Sequence, residues 1–94
     1  MVVLEENWVD VKLYLPNEIV FYEVKSDLNA SSCVRNAIGQ GLNYICSDRD
    51  SRPKKLVVVG PVQPNEQDRL FIEFVKRNLL IEFDYECVLL PDFN

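Results

Sequence analysis

Apolar and polar residues alternate along the first predicted strand, residues 9–15. One side of this strand consists of Val9, Val11, Leu13 and Leu15, and the other side consists of Asp10, Lys12 and Tyr14. A period of two is typical of a half-buried β-strand. Turn residues follow at 16–18, and we predict a second strand over residues 19–25. Because the link between them is short, we predict that the two strands form an antiparallel hairpin.

The spacing of apolar residues becomes helical after residues 26–32, a segment rich in the Ser, Asp and Asn residues that begin helices. We predict a helix over residues 32–47. Its apolar stripe consists of Val34, Ala37, Ile38, Gly41, Leu42 and Ile45. A polar, basic loop follows, and then residues 56–59, an apolar run typical of an interior strand covered on both faces.

A second helix and a last strand complete the pattern. Asn65 is predicted to cap the helix, with Asp68 three residues later as a variant of the capping box. The apolar residues predicted for this helix are Leu70, Phe71, Phe74, Val75 and Leu79. In the last strand Ile81, Phe83, Tyr85, Cys87 and Leu89 alternate with Glu82, Asp84 and Glu86. The element order is therefore ββαβαβ, and we predict one α/β domain over residues 1–94, a sandwich of a mixed four-stranded sheet and two helices.

Composition narrows the function classes. The chain has 94 residues, of which 48% are hydrophobic, enough for one packed core. Its three cysteines are odd in number and widely spaced, and the sequence has no histidine, which argues against a disulfide framework and a zinc site. This cysteine pattern fits a reducing compartment, so we expect a cytoplasmic protein. We also expect no membrane segment, because no apolar run approaches the ~20 residues that a bilayer crossing needs.

The net charge of −5 weighs against a generic nucleic-acid binder, because affinity for nucleic acid depends on neutralising phosphates. It does not exclude nucleic-acid binding, which depends on where the charges lie and on any bound cation. Four of the ten basic residues lie in or next to one loop: Arg49, Arg52, Lys54 and Lys55. We expect them to contact phosphates beside the functional site, and the alternative is a solvated loop.

Three charged residues suggest metal chemistry. Glu23 and Lys25 lie two residues apart, on one side of the second predicted strand, and Asp10 lies on the first. A hard cation such as Mg²⁺ takes carboxylate oxygens, which Asp10 and Glu23 would supply. Lys25 would hold or deprotonate an attacking water. The alternative is a solvated salt bridge between the strands, because this pattern arises by chance in many hairpins.

The first helix adds polar residues to this pattern. Gln40 and Tyr44 are four positions apart and so share one helical face. Gly39 and Gly41 each weaken a helix interior by about 1 kcal/mol against Ala, which suggests that the sheet or a ligand approaches the backbone closely. The alternative is tight packing of helix on sheet, with Gln40 and Tyr44 as ordinary flanking residues.

Together, Asp10, the Glu23-Val24-Lys25 run and a helix with Gln40-x-x-x-Tyr44 resemble the PD-(D/E)xK nuclease superfamily, in its RecB-type QxxxY branch. The same segment is similar to XisH-type proteins, which are linked to excision of DNA elements. The resemblance implies a restriction-endonuclease-like core and a nuclease that depends on Mg²⁺ or Mn²⁺.

Each residue receives a role from this resemblance. Asp10 and Glu23 would be metal ligands together with the Val24 carbonyl, and Lys25 would be the catalytic lysine. Gln40 and Tyr44 would orient the site or contact the nucleic-acid backbone.

The chain departs from the family pattern in two ways. Val9 stands where the motif has proline. Too few residues precede the first predicted strand for the helix that usually opens the family core. Glu5 or Glu6 would then stand in for a carboxylate, or another subunit would cover the missing layer. We therefore expect self-association, as a homo-oligomer or with a partner subunit.

Three functions fit these observations. The first is metal-dependent hydrolysis of phosphodiester bonds, in DNA rather than RNA. The second is a non-catalytic DNA-binding or regulatory module on the same fold, acting in DNA rearrangement or excision. The third is a small α/β interaction domain with no nucleic-acid role.

Overall fold

The structure, a computed structural model, describes residues 2–4 and 10–88. These contain five strands and two helices: β1 (Val2–Leu4), β2 (Asp10–Leu15), β3 (Glu18–Val24), α1 (Ala30–Ser47), β4 (Lys54–Gly60), α2 (Glu66–Asn78) and β5 (Glu82–Cys87). The predicted ββαβαβ order is present from β2 onward, so the α/β class with two helices is confirmed. The additional strand, β1, was not predicted.

The sheet is mixed, with spatial order β1-β2-β3-β4-β5. The first three strands form antiparallel pairs, whereas β3–β4 and β4–β5 are parallel. Parallel neighbours joined by a helix almost always have right-handed crossovers. Two such crossovers in one direction along the sheet place α1 and α2 on the same face.

The hydrophobic core lies between this face of the sheet and the two helices. Each of its buried residues is 7% exposed or less: Ile19, Phe21, Ala30, Cys33, Val34, Ala37, Leu56, Val58, Ile72, Val75 and Phe83. In β4, Leu56, Val57 and Val58 are all buried, as expected for an interior strand. The predicted caps are also present, because Asn65 and Asp68 form a complete capping box at the start of α2.

The side of β2 that faces the helices is its polar one. Lys12 pairs with Phe21 and Tyr14 with Ile19, and both of these β3 residues belong to the core. Opposed residues of an antiparallel pair share one face. Asp10, Lys12 and Tyr14 therefore occupy the helix side of β2, and its apolar positions occupy the other. Since α1 packs over β3 and β4, the helix side of β2 lies beside that helix.

The opposite face of the sheet is apolar over much of β2, β3 and β4, whereas along β5 it carries Glu82, Asp84 and Glu86. Val20 and Val57 are buried there, Leu13 and Tyr22 are half-buried, and Val24 is exposed. Both described helices lie on the other face. Self-association through this apolar face stays a prediction. The residues expected to substitute for a missing carboxylate, Glu5 and Glu6, lie outside the described residues, as does Val9.

Part of the predicted apolar stripe of α2 is wrong. Leu70 and Phe74 are 64% and 57% exposed, although both were expected to face the core. The buried face carries Ile72 and Val75, spaced from Asp68 by four and seven residues. Neither described helix is long and apolar enough to cross a membrane.

Candidate functional site

Glu23 is a carboxylate within the hydrophobic layer. It lies near the end of β3, two positions after the core residue Phe21 and paired with the core residue Val58, and is 1% exposed. The helix covers it directly, since a Cβ placed on Gly41 would lie 3.4 Å from the Cγ of Glu23. Burying a carboxylate is costly unless charge or hydrogen bonding compensates. The solvated salt bridge considered from sequence therefore does not describe this residue.

Lys25 supplies compensating charge. Its Nζ lies 3.8 Å from Oε2 of Glu23 and donates a 2.8 Å hydrogen bond to Oε1 of Gln40. The Lys25 side chain is 17% exposed, so the ammonium is at the boundary between the core and solvent. The helix with Gln40 thus lies on the same face as Glu23 and Lys25, and Gln40 fixes the position of the ammonium.

The strand register places Asp10 opposite Glu23. Directly opposed positions of an antiparallel pair have Cβ atoms about 4.5–5.5 Å apart and lie on one face of the sheet. The residues whose side chains are described begin at Val11, so only the position of Asp10 on its strand enters the site geometry.

The peptide between Val24 and Lys25 directs the Val24 carbonyl toward β2. The N–H of Lys25 donates to the carbonyl oxygen of Val59 on β4, at 2.8 Å. In a trans peptide the C=O points opposite to the N–H. The Val24 oxygen therefore points to the strand that carries Asp10.

These groups fit a hard divalent cation by the chemistry of their donors. Mg²⁺ binds through one or two carboxylates and completes its shell with water and phosphate oxygens. Asp10 and Glu23 would supply the carboxylates and Val24 a carbonyl, all at one end of the β2–β3 pair. Among the side chains that the structure describes, no group of three or more His, Cys, Asp or Glu residues could hold a metal ion.

Tyr44 lies one helical turn beyond Gln40, away from Lys25. It is half-buried and packs against the hydrophobic core. An α-helix advances 1.5 Å per residue, so the four positions from Gln40 correspond to about 6 Å. The predicted pair therefore shares a helical face, while Gln40 is the member that contacts Lys25.

The basic loop lies at the far end of the strands from Lys25. Lys54 pairs with Ile19, whereas Glu23 pairs with Val58, four residues further along. At about 3.3 Å per residue, the separation along the strands is about 13 Å. The predicted position beside the candidate metal ligands is therefore wrong for this loop, and Lys55 lies on the opposite face of the sheet. Contact of Arg49, Arg52 and Lys54 with phosphates stays a prediction.

The four basic residues also differ in their surroundings. Arg52 donates to both oxygens of Asp50 and to the Leu15 carbonyl, while Lys54 donates to the carbonyls of Asp50 and Arg52. Lys55 lies on the opposite face of the sheet, and its Nζ is 3.4 Å from Oε2 of Glu82. Arg49 is exposed.

Sequence reasoning missed the polar contact between β2 and the end of α1. Nζ of Lys12 lies 3.1 Å from Oδ2 of Asp48 and 5.1 Å from the centre of the Phe21 ring. A hydrogen bond from the Asp50 backbone, and secondarily the Lys12 ammonium, hold the pKa of Asp48 below its usual range. The contact joins residues 36 positions apart, so no local spacing could have indicated it.

A cavity of about 220 Å³ opens where β3 and β4 end. Its walls are mostly apolar, with Val24, Val59, Pro61 and Val88 among them, and Lys25 is also part of the lining. The Val24 and Val59 side chains lie on the face opposite Glu23, and this cavity adjoins the carboxylate site at Val24 and Lys25.

Comparison with known proteins adds no identification. No family model matches the chain, and neither a curated protein nor a solved structure matches it.

Proposed function

We propose that the protein hydrolyses phosphodiester bonds in DNA with a bound Mg²⁺ or Mn²⁺ ion. The strongest support is the burial of the Glu23 carboxylate, which is 1% exposed and lies next to Lys25. A buried ion pair is weak evidence for stability, and replacing it with apolar residues is often neutral or stabilising. Environments that strongly perturb the pKa of an ionisable group cluster at functional sites.

Each residue has a distinct part in the proposed reaction. Asp10, Glu23 and the Val24 carbonyl would hold the metal ion, which would neutralise phosphate charge when bound. Lys25, as an ammonium, would position the attacking water and offset the charge that develops on the phosphate, and Gln40 would keep the ammonium in place. In this reaction water would add to phosphorus as the P–O bond to one nucleotide breaks, and the proton that the water loses would end on the leaving oxygen.

The direct test is cleavage of plasmid and single-stranded DNA in Mg²⁺ or Mn²⁺. Wild-type protein should cleave DNA, and chelation of the metal should abolish cleavage. Lys25→Ala should lower the rate by about 10²–10⁴-fold, the usual contribution of a positioned acid or base. Lys55→Ala removes a lysine from the opposite face of the sheet and should leave the rate unchanged. Cleavage that survives in Lys25→Ala would exclude this role for the lysine.

The second candidate is a DNA-binding module without turnover. The 3.8 Å separation of Lys25 Nζ and Glu23 Oε2 favours it, because the ammonium already balances this carboxylate without a metal ion. The same assay distinguishes the two, since a binding module would retain DNA without cleaving it.

A further inference from the structure

The helix side of β2 continues from the candidate site to the basic loop. Three positions on this side, Asp10, Lys12 and Tyr14, pair with Glu23, Phe21 and Ile19. Successive positions on one face of a strand are about 7 Å apart. Since α1 packs over β3 and β4, this side of β2 remains beside the helix. We call it, together with the Arg52 side chain that packs on it, the β2 strip.

Beyond Lys25, the β2 strip has two more cations, at different positions along the strand. The first is Lys12, whose side chain is 20% exposed. The second is Arg52, which lies with its guanidinium carbon 5.4 Å from the centre of the Tyr14 ring and donates to the Leu15 carbonyl at 2.9 Å. Both cations are therefore held in fixed positions on β2, at about 7 Å and 13 Å from the level of Glu23.

Acidic partners orient these cations. Asp48 accepts from Lys12, and Asp50 accepts from Nε and Nη2 of Arg52. A guanidinium carries five donors, and the contacts of Arg52 with Asp50 and the Leu15 carbonyl use three of them. The Arg52–Asp50 pair is partly exposed, at 34% and 28%, so a phosphate can compete with the carboxylate there. The Lys12–Asp48 pair is more buried, at 20% and 8%, so a phosphate would reach Lys12 only from its exposed side.

We propose that the β2 strip binds the backbone of the nucleic-acid strand whose scissile phosphate lies at Lys25, with Lys12 and Arg52 contacting phosphates further along that strand. This inference rests on the proposed function for the position of the reacting phosphate. A stacked strand advances about 3.4 Å per nucleotide, so the strip spans about four nucleotides. Together with Lys25, its cations lie at three positions along the direction of β2, each beside a carboxylate, on a chain whose net charge is −5.

The strip also explains the position of the basic loop. A loop about 13 Å from the metal ligands is too far to contact the reacting phosphate, but it lies where the same strand would leave the protein. Lys55, on the opposite face, takes no part in this path.

The test is the salt dependence of DNA binding, measured without divalent metal by fluorescence anisotropy. The probe is a labelled single-stranded oligonucleotide several times longer than the strip. Each phosphate contact contributes about 0.7 to the slope of log K against log salt concentration for single strands. Lys12→Gln should therefore lower the slope by about 0.7 and weaken binding several-fold, and Lys12→Arg should restore both.

Two further variants make the result decisive. Asp48→Asn removes the carboxylate that competes with phosphate for Lys12, so it should bind DNA more tightly than the wild type. Lys55→Gln removes one positive charge from the opposite face and should leave the slope unchanged. Circular dichroism on each variant verifies that the fold is intact.

The failures of the two proposals can be told apart. DNA cleavage with an unchanged slope in Lys12→Gln would overturn the strip and leave hydrolysis standing. Slopes that respond as expected without any cleavage would support the strip and contradict hydrolysis. Absence of DNA binding by the wild type, or equal effects of Lys12→Gln and Lys55→Gln, would also overturn the strip.

Discussion

At the scale of single residues, two buried carboxylates serve different purposes. Glu23 faces Lys25 at the candidate site, whereas Asp68, 4% exposed, joins the starts of both helices. One oxygen of Asp68 accepts from the backbone N–H and the hydroxyl of Ser31 in α1, and the other accepts from the backbone N–H of Asn65 before α2. Asp68 is thus a structural acid, and its role is separate from the proposed chemistry.

Asp68 should make stability depend on acid pH. The hydroxyl of Ser31, followed by backbone donors, lowers the pKa of Asp68 in the folded protein. A lowered folded pKa stabilises the fold above the unfolded pKa, about 3.9, and this contribution disappears as pH falls through the folded value. Asp68→Asn should lose about 1–3 kcal/mol of unfolding free energy at neutral pH. Its stability should also fall less steeply than that of the wild type below about pH 4.

Urea denaturation across this pH range measures both effects. Glu66→Gln is the matched control, because it removes an exposed acid from the same first turn of α2. Equal pH dependence in wild type and Asp68→Asn would show that Asp68 does not link the two helices as described.

The capping role of Asp68 was predictable from sequence, but its contact with Ser31 was not. The capping box is a local pattern with a spacing of three residues, whereas Ser31 lies 37 positions away. The same distinction applies at the candidate site. The spacing of Glu23 and Lys25 indicated a shared face, and only the fold could show how deeply the helix buries Glu23.

At the scale of secondary structure elements, close contact between α1 and the sheet depends on Gly41. A Cβ there would lie 2.7 Å from Cδ1 and 3.0 Å from Cδ2 of Leu56, which is fully buried. By contrast, a Cβ on Gly39 would meet nothing within 4 Å. The tight packing considered for both glycines from sequence is therefore present at only one of them.

The two glycines should respond oppositely to alanine. Gly39→Ala should stabilise the protein by about 0.5–1 kcal/mol, because alanine is the better helix former and the site is open. Gly41→Ala gains the same propensity but must displace Leu56, and overpacking a core costs about 1–3 kcal/mol. Gly41→Ala should therefore be less stable than Gly39→Ala in thermal or urea denaturation. Equal stabilisation by both would contradict the close approach of α1.

Periodicity predicted most of the elements, and its failures have physical causes. Strand β1 has three residues, which is too short for an alternating pattern to stand out. Leu70 and Phe74 are apolar at helical spacing, yet they are exposed because Asp68, Ile72 and Val75 define the buried side of α2. Which face of β2 meets the helices depends on where α1 crosses the sheet, and the sequence of β2 does not contain that information.

At the scale of the whole molecule, the fold brings the residues of the candidate site to one end of the β2–β3 pair. The hairpin supplies Asp10, Glu23 and Lys25, and the crossover helix returns over the same face with Gln40. Both helices lie on this face, because residues of each belong to the same core as Phe21 and Leu56. The candidate site thus lies where α1, which packs over β3 and β4, meets the helix side of β2.

The central claim is that Asp10 and Glu23 hold one divalent cation, and calorimetric titration with Mn²⁺ tests it most directly. The wild type should bind Mn²⁺, and both Asp10→Asn and Glu23→Gln should lose that binding. Glu82→Gln is the control, since it removes an exposed acid from the other side of the sheet and should bind as the wild type does. Unchanged Mn²⁺ binding in Asp10→Asn and Glu23→Gln, or no binding by the wild type, would contradict the account.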